Sequence, residues 1–209
     1  MMLKQLKVAD IFSILNATFG FGGILYLFKS GINANTFYFL YLSSFMDGAD
    51  GIAANRFGKS PFGKDLDSLA DSISFGLFPS LILAYNDNTL AIPALIFVIA
   101  SILRLARFNV IEAENFVGFP TVASALLLTS LIRLDFALGI IFIVTVFLAF
   151  LMISDIEYVK IRNRALLVLL GLVILLCFFV KIAVYILLLL TLIYLISPVF
   201  MGVVKWKKL

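Results

Sequence analysis

The chain has 209 residues, of which 63% are hydrophobic and only 13% charged, and its mean hydropathy is +1.15. Such a composition excludes an ordinary soluble domain and is typical of polytopic membrane proteins. The net charge of +4 comes without a soluble basic region that would bind nucleic acid, so we expect the excess positive charge to face anionic lipid headgroups.

Two residue types limit the chemistry further. Cys177 is the single cysteine, which excludes a disulfide framework and a thiolate metal centre. Histidine is absent, so the commonest general base and the commonest transition-metal ligand are missing. Any proton transfer must use carboxylates, Lys, Tyr or water.

Apolar segments separated by charged or turn-forming residues predict the helices. The segments lack the alternation of a membrane β-barrel, and helices satisfy their own backbone hydrogen bonds in lipid. We therefore predict an all-α polytopic membrane helix bundle with about eight transmembrane helices. The segments are approximately 11–28, 36–56, 63–86, 89–110, 118–133, 135–153, 164–180 and 182–204. Because the fifth is shorter than the roughly 20 residues of a full span, a six-helix version with one re-entrant pair stays open.

The distribution of positive charge predicts the orientation. With eight helices, thirteen of the sixteen Lys and Arg residues lie on one side of the membrane, and the other side has Lys29, Arg133 and Lys181. Basic residues concentrate on the cytoplasmic side of membrane proteins. We expect an integral cell membrane protein, folded as a single domain over 1–209, with both termini in the cytoplasm.

Four acidic residues lie at the cytoplasmic ends of the second and third predicted helices. Asp47 and Asp50 are three residues apart, and Asp67 and Asp71 are four apart, so each pair occupies one face of its helix. The rise of about 1.5 Å per residue places all four at a similar depth. The two pairs are therefore expected to face each other. We interpret the neighbouring Asp65 as ordinary loop charge.

Like charges at this depth need compensation. One unpaired charge at the bilayer centre costs at least about 2.5–3.5 kcal/mol. A carboxylate site without His or Cys selects Mg, Mn or Ca, and four carboxylates suffice for one ion or for two that share ligands. Neutralisation by Arg56, Lys59 and Lys64 is the alternative. The adjacent Gly48, Gly51 and Gly63 would allow a bulky anionic substrate to approach, or would serve helix packing.

These residues resemble a known signature. The pattern D-x-x-D-G-x-x-A followed by G-x-x-x-D-x-x-x-D is similar to that of the CDP-alcohol phosphotransferases, and it is formed by Asp47, Asp50, Gly51, Ala54, Gly63, Asp67 and Asp71. The family usually has Arg after the Ala, where this chain has Asn55 followed by Arg56. "LDSLADSISFGLFPS", "RLARFNV" and "GFPTVASA" resemble the phosphatidylserine synthase branch, including archaetidylserine synthases. The resemblance covers about 10–130 as the catalytic portion and leaves 131–209 as additional transmembrane helices.

The resemblance implies transfer of a phosphatidyl or archaetidyl group from a CDP-linked lipid to the hydroxyl of L-serine, with release of CMP, in phospholipid biosynthesis. It implies Mg or Mn, with Ca also compatible, as two ions bound by Asp47, Asp50, Asp67 and Asp71. Asp71, the deepest acid of its pair, is the candidate to accept the serine proton. The CDP-lipid would contact Asp50, Gly51, Ala54, Arg56, Gly63, Asp67 and Asn16, although a helix–helix hydrogen bond explains Asn16 nearly as well.

The carboxylate of serine requires a cation. Arg104 and Arg107 lie one helical turn apart near the cytoplasmic end of the fourth predicted helix, with Asn109 beside them. We predict that these three residues bind serine. The alternatives for the arginines are to hold a phosphate or to act as positive-inside anchors.

Other functions are compatible with the same residues. The same family could use glycerol phosphate or inositol phosphate as the acceptor. A cation-coupled transporter would also place carboxylates inside a bundle, but it predicts broken helices and an inverted repeat, and neither is evident. The expected partners are CDP-diacylglycerol or CDP-archaeol, L-serine, membrane lipids and, as the family implies, a second copy of the chain; nucleic acid is not expected.

Overall fold

The protein is almost entirely helical in the computed structural model, which describes residues 5–111, 115–161 and 163–200. The helices are α1 (Val8–Ser30), α2 (Ala34–Phe57), α3 (Gly63–Asp71), α4 (Phe78–Asn86), α5 (Ala91–Val110), α6 (Thr121–Arg133), α7 (Leu138–Ile153), α8 (Arg164–Leu176) and α9 (Lys181–Phe200). A 3-10 turn, Asn88–Leu90, precedes α5. Strands β1 (Phe116–Val117) and β2 (Glu157–Tyr158) form a short antiparallel pair.

The helical segments match the predicted apolar segments. Helix α3 continues into α4 through a π-helical turn, Ser72–Leu77, so Gly63–Asn86 is one unbroken helix. Counted this way, the described residues form eight helical segments, one for each predicted apolar segment. The prediction of an all-α bundle is confirmed. The β1–β2 pair was not predicted.

Four of the helices are long and apolar enough to cross a membrane: Val8–Ser30, Gly63–Asn86, Asn88–Val110 and Lys181–Val199. Helix α2 has similar length but contains Asp47 and Asp50, and α6, α7 and α8 are apolar but shorter. In α6 the nine consecutive residues 124–132 are all buried, so this helix lies in the interior of the bundle. The chain is an integral membrane protein; that all eight segments span the bilayer stays a prediction.

Small residues bring α1, the π-helical turn and α5 into close contact. Gly20 of α1 packs directly on Ser74, and a methyl group at Gly20 would lie 2.8 Å from the Ser74 Cα. Gly76 of the π-helical turn packs in the same manner on Ser101 of α5. Small residues of this kind let membrane helices approach closely where hydrophobic association is weak. They fix α1 and α5 on opposite sides of the helix that carries Asp67 and Asp71.

Arg133 connects elements at the other end of the bundle. Its guanidinium donates to the Tyr41 hydroxyl at 2.9 Å and to the Cys177 carbonyl at 3.0 Å. The same group lies 5.4 Å from the ring centres of Tyr38 and Tyr41. These contacts join α2 and α6 to the connection between α8 and α9. Cys177 itself is buried with a free thiol.

Candidate active site

The connection between α2 and α3 brings their acidic residues together. Helix α2 ends where Gly58 adopts φ +75, a left-handed conformation that favours glycine, and its N–H caps the Ala54 carbonyl at 2.9 Å. Only residues 58–62 separate α2 from the start of α3 at Gly63. Such a short connection places the last turns of α2 beside the first turns of α3.

Three carboxylates converge at this point. Asp47, Asp67 and Asp71 each have an oxygen atom that lies within 4.8 Å of the others. Lys59 Nζ lies 3.7 Å from Asp67 Oδ2, while the other oxygen of Asp67 is buried and has no hydrogen-bond partner among the described residues. A single lysine does not neutralise three close carboxylates, and the donor set consists of oxygen alone. These residues fit a hard divalent cation.

Asp50, the fourth predicted ligand, lies outside this group of three. It is buried, and one of its oxygens accepts a hydrogen bond from Ser13 Oγ of α1 at 2.8 Å. It is still close enough to interact electrostatically with Asp47 and Asp67. The four acids therefore form one charged cluster, with Asp50 on its α1 side. A direct contact between Asp50 and a metal stays a prediction.

Asn16 lies at the base of the cluster. Its side chain is 0% exposed, and its Nδ2 donates to Asp71 Oδ1 at 2.9 Å. The Asn16 backbone carbonyl accepts hydrogen bonds from Ser43 at 3.1 Å and from Ser74 at 2.9 Å. The side-chain oxygen of Asn16 is buried and has no partner in the described part of the chain. The helix–helix hydrogen bond weighed from the sequence is thus present; the predicted contact with the CDP-lipid stays untested.

The glycines near the acids differ in their surroundings. A Cβ built on Gly48 or Gly51 meets nothing within 4 Å, so open space adjoins α2 at both positions. Gly63 is buried, and a Cβ there would lie 2.9 Å from an oxygen of Asp10. Gly51 therefore adjoins open space, whereas a side chain at Gly63 would crowd Asp10; contact of either glycine with the CDP-lipid stays a prediction.

The two remaining predicted lipid-binding residues lie near the end of α2. Ala54 is half-buried, and Arg56 is exposed with its guanidinium 5.4 Å from the Phe57 ring centre. In the described part of the chain, the Arg56 guanidinium makes no hydrogen bond and no ion pair. It can change rotamer without breaking a bond of the fold.

Arg104 is a buried cation beside the acidic cluster. Its side chain is only 6% exposed, and one terminal nitrogen donates to Thr121 Oγ1 at 3.2 Å. Its Nε is buried without a partner in the described residues. The guanidinium lies 5.4 Å from the ring centre of Phe116 and interacts electrostatically with Asp71 and Asp47. Arg104 thus has hydrogen-bonding capacity left for an anion next to the candidate metal site.

Arg107, one turn further along α5, donates from both of its terminal nitrogens to groups of the fold. Its two terminal nitrogens donate to one carboxylate and four backbone carbonyls at 2.8–3.2 Å: Asp155 Oδ1 and the carbonyls of Val117, Met152, Ile153 and Ser154. These carbonyls lie at the C-terminal end of α7 and in β1, where a cation satisfies free acceptors and the helix dipole. The Arg107 Nε is buried and has no partner among the described residues, as in Arg104. Serine binding through the terminal nitrogens of Arg107 would require the bonds above to break.

Asn109 joins α5 to the start of α3. Its side chain accepts from Ser68 at 2.8 Å and donates to Asp65 at 2.9 Å, and its carbonyl accepts from Lys64 at 3.0 Å. Asp65 is thus a bonded residue of the first turn of α3 rather than free loop charge. The predicted contact of Asn109 with serine has no support in these bonds and stays a prediction.

An apolar groove runs beside the acids between α1 and the helix that begins at Gly63. Its volume is about 400 Å³. The lining residues are Ser13, Ile14, Ala17, Thr18, Phe21, Leu66, Leu69, Ala70 and Ile73. Since Ser13 also bonds Asp50, and Ala70 precedes Asp71, the groove reaches the acidic cluster.

Sequence reasoning missed two polar residues of this region. Ser13 lies three residues before Asn16 and therefore on the same face of α1, a spacing that could have indicated its contact with the acids. Asp10 accepts hydrogen bonds from the Lys7 amide at 2.7 Å and from Ser60 at 3.0 Å, and so fixes the start of α1 to the α2–α3 connection. No sequence pattern pointed to this partner of Asp10.

Comparison with known proteins identifies the family. The sequence profile described as CDP-alcohol phosphatidyltransferase matches residues 6–207. A CDP-diacylglycerol–serine O-phosphatidyltransferase of Methanocaldococcus jannaschii is 37% identical over 164 residues, which cover 77% of this chain and 78% of the relative. An archaetidylserine synthase of Methanothermobacter thermautotrophicus is 36% identical, with 75% and 71% covered. A Bacillus subtilis CDP-diacylglycerol–serine O-phosphatidyltransferase is 32% identical, with 61% and 76% covered. The chain therefore belongs to the CDP-alcohol phosphatidyltransferase family.

Proposed function

We propose that this enzyme transfers a phosphatidyl or archaetidyl group from a CDP-linked lipid to the hydroxyl of L-serine and releases CMP. The observation that carries the proposal is the convergence of Asp47, Asp67 and Asp71, with the buried Arg104 beside them. The names of the relatives support serine as the acceptor. In the reaction the serine oxygen bonds to the lipid-side phosphorus and the bond from that phosphorus to CMP breaks.

We propose Asp47, Asp67 and Asp71 as metal ligands, joined by Asp50 if two ions bind. Their oxygen-only donor set suits Mg or Mn and is also compatible with Ca. When bound, the ions supply positive charge that neutralises the diphosphate and the leaving oxygen of CMP. Without them the four acids would repel the diphosphate.

Asp71 is our candidate for the group that accepts the serine proton. It is the deeper acid of its helix, and Asn16 fixes one of its oxygens at 2.9 Å. The chain offers no histidine for this step. A carboxylate at this position can take the proton as the hydroxyl oxygen attacks phosphorus.

The surroundings of the acids suit the two halves of a CDP-lipid. The nucleotide would lie along the open face at Gly51 and Ala54, near the acids Asp50 and Asp67, with Gly63 shaping the turn and Arg56 able to reach a phosphate. The apolar groove beside Ser13 would take part of a hydrocarbon chain. Ester-linked and ether-linked lipids are both compatible with such a groove.

Arg104 is our candidate partner for the serine carboxylate. It is buried, retains an unpaired Nε, and is close enough to Asp71 to interact with it. A charge-assisted hydrogen bond in such a site discriminates serine from uncharged alcohols. Arg107 and Asn109 then contribute indirectly, because their hydrogen bonds hold α5 and α3 in position.

The proposal places the site at the cytoplasmic side, where serine and CDP-lipid are both available. Thirteen of sixteen basic residues support this orientation. We retain residues 10–130 as the catalytic portion, 131–209 as supporting helices, and a homodimer as the working assembly.

A direct assay tests the proposal. The purified chain in detergent is mixed with CDP-diacylglycerol or its ether analogue, Mn²⁺ or Mg²⁺, and serine, glycerol phosphate or inositol phosphate, and CMP is measured. We expect CMP release and lipid labelling with serine, and loss of both when the metal is removed with EDTA. Turnover with glycerol phosphate but not with serine would show that glycerol phosphate, and not serine, is the acceptor. Full activity in the presence of EDTA would remove the metal from the mechanism.

A further inference from the structure

Helix α1 supplies a hydrogen-bond donor to an acid on each of the two neighbouring helices. Ser13 Oγ donates to Asp50 of α2 at 2.8 Å, and Asn16 Nδ2 donates to Asp71 of α3 at 2.9 Å. Both donors are buried, with 2% and 0% of their surface exposed. Residues three apart lie on one face of a helix, so this face of α1 is directed at the acidic cluster.

The Ser13 bond differs from those of three other buried hydroxyls in the bundle. Ser44, Ser80 and Ser124 each donate to the carbonyl four residues earlier in their own chain segment. Ser13 lies 3.4 Å from the corresponding Ala9 carbonyl and makes its shorter bond across the helix interface, to Asp50. Its hydroxyl therefore serves a contact between helices.

The position of Asn16 is fixed from two directions. Its backbone carbonyl accepts from Ser43 of α2 and from Ser74 of the π-helical turn. The amide group that donates to Asp71 therefore extends from a backbone that both acid-bearing helices contact. Its buried, unpartnered Oδ1 is available to a donor that arrives with an occupied site, since buried polar atoms are normally hydrogen-bonded.

We propose that Ser13 and Asn16 are positioning residues of the divalent-metal site, which fix the orientation of the Asp50 and Asp71 carboxylates before the metal binds. This inference rests on the proposed metal site. Carboxylates that bind metals are commonly oriented by hydrogen bonds from outside the ligand set, and loss of such a partner typically costs about 10–100-fold in metal affinity or activity. Helix α1, which contributes no ligand of its own to the site, thereby sets the affinity for the metal.

Direct binding of Mn²⁺ tests this role without relying on turnover. The full chain is purified in detergent, free Mn²⁺ is measured by electron paramagnetic resonance during a titration, and thermal unfolding is recorded without metal. We expect Ser13→Ala and Asn16→Leu each to raise the Kd for Mn²⁺ about 10–100-fold. Ser80→Ala, which removes a buried hydroxyl that bonds within its own helix, should leave the Kd unchanged.

A pair of variants of equal volume controls for folding. Ser13→Thr keeps the hydroxyl and Ser13→Val removes it, so Thr should bind Mn²⁺ more tightly than Val even if both lower the unfolding temperature. Equal affinity of the two would overturn the role of Ser13, and unchanged affinity in Asn16→Leu would overturn that of Asn16. Asp71→Asn distinguishes failure of the metal site from failure of the positioning role. If Asp71→Asn binds Mn²⁺ normally, the proposed metal site is wrong. If Asp71→Asn loses binding while the Ser13 and Asn16 variants keep it, only the positioning role is wrong.

Discussion

At the scale of single residues, Arg104 and Arg107 show how differently two neighbouring cations are used. They lie one turn apart on α5, yet Arg107 donates five hydrogen bonds to fixed groups of the protein, while Arg104 donates one, to Thr121. Arg104 also lies close enough to Asp71 to interact with it electrostatically. We therefore expect substitution of Arg104 to affect catalysis and substitution of Arg107 to affect stability.

Arg104→Ala should raise the KM for serine. Loss of one hydrogen bond to a charged group costs about 1.5–3 kcal/mol, which corresponds to about 10–100-fold in KM. The KM for the CDP-lipid should change little. Steady-state kinetics with each substrate varied in turn provide the measurement. The reverse pattern would assign Arg104 to a lipid phosphate.

Arg107→Ala should destabilise the protein instead. Four backbone carbonyls would lose this donor, one at an exposed position and three at part-buried ones. We expect the unfolding temperature in detergent to fall by roughly 5 °C or more, given about 1.5–3 kcal/mol for a hydrogen bond that involves a charged group. Below that temperature the KM for serine should stay near the value of the unmodified enzyme. A rise in the serine KM comparable to that of Arg104→Ala would return Arg107 to the serine site.

The sequence could predict the acidic cluster but not this division between the arginines. The acids are close in sequence, and helix geometry alone brings Asp67 and Asp71 to one face. The partners of Arg107 lie in β1 and at the end of α7, so only the tertiary structure distinguishes it from Arg104. The hydrogen bond between Ser13 and Asp50 depends likewise on the packing of α1.

At the scale of elements, α1 packs closely against the π-helical turn next to its bonds with the acids. The same α1 residues that bond the acids are followed, one turn later, by Gly20 against Ser74. Helix lengths and loops followed from the apolar segments, and the observed bounds are close to the predicted ones. The π-helical turn could not be predicted in this way, because its residues have the sequence pattern of an ordinary helix.

Gly20→Ala should therefore disturb both stability and metal binding. The added methyl group would meet the side chain and the Cα of Ser74, and overpacking of this kind costs about 1–3 kcal/mol. We expect a lower unfolding temperature and weaker Mn²⁺ binding. Gly139→Ala is the matched control, because its Cβ meets nothing within 4 Å and alanine favours a helix. Equal behaviour of the two variants would show that the Gly20 contact does not determine the site.

At the scale of the whole molecule, the lengths of the helices indicate which of them can span the membrane, and the distribution of basic residues indicates their orientation. Four helices are long and apolar enough to span a membrane, and the buried α6 shows that a short helix can still belong to the interior. The orientation rests on the distribution of Lys and Arg. On this basis we propose that the α2–α3 connection lies in the cytoplasm and the α4–α5 connection on the opposite side.

Labelling of single cysteines checks this orientation. Pro61→Cys and Asn88→Cys place thiols at exposed positions in the two connections, whereas the native Cys177 is buried. A membrane-impermeant maleimide added to intact cells should label position 88 and should reach position 61 only after permeabilisation. Labelling in the opposite order would invert the topology and place the acids on the outer side.

The π-helical turn between Asp71 and α4 has a consequence for how the gene can vary. Such a turn is equivalent to one residue inserted into an α-helix. Deletion of one residue within Ser72–Leu77 would convert the turn into regular α-helix, and because the wider turn already absorbs the extra residue, the acids would keep nearly their direction relative to α4. The same deletion within Phe78–Asn86 would instead rotate the rest of α4 by about 100° relative to the acids. A change of one residue in length should therefore be tolerated better inside this turn than in the regular helix that follows it.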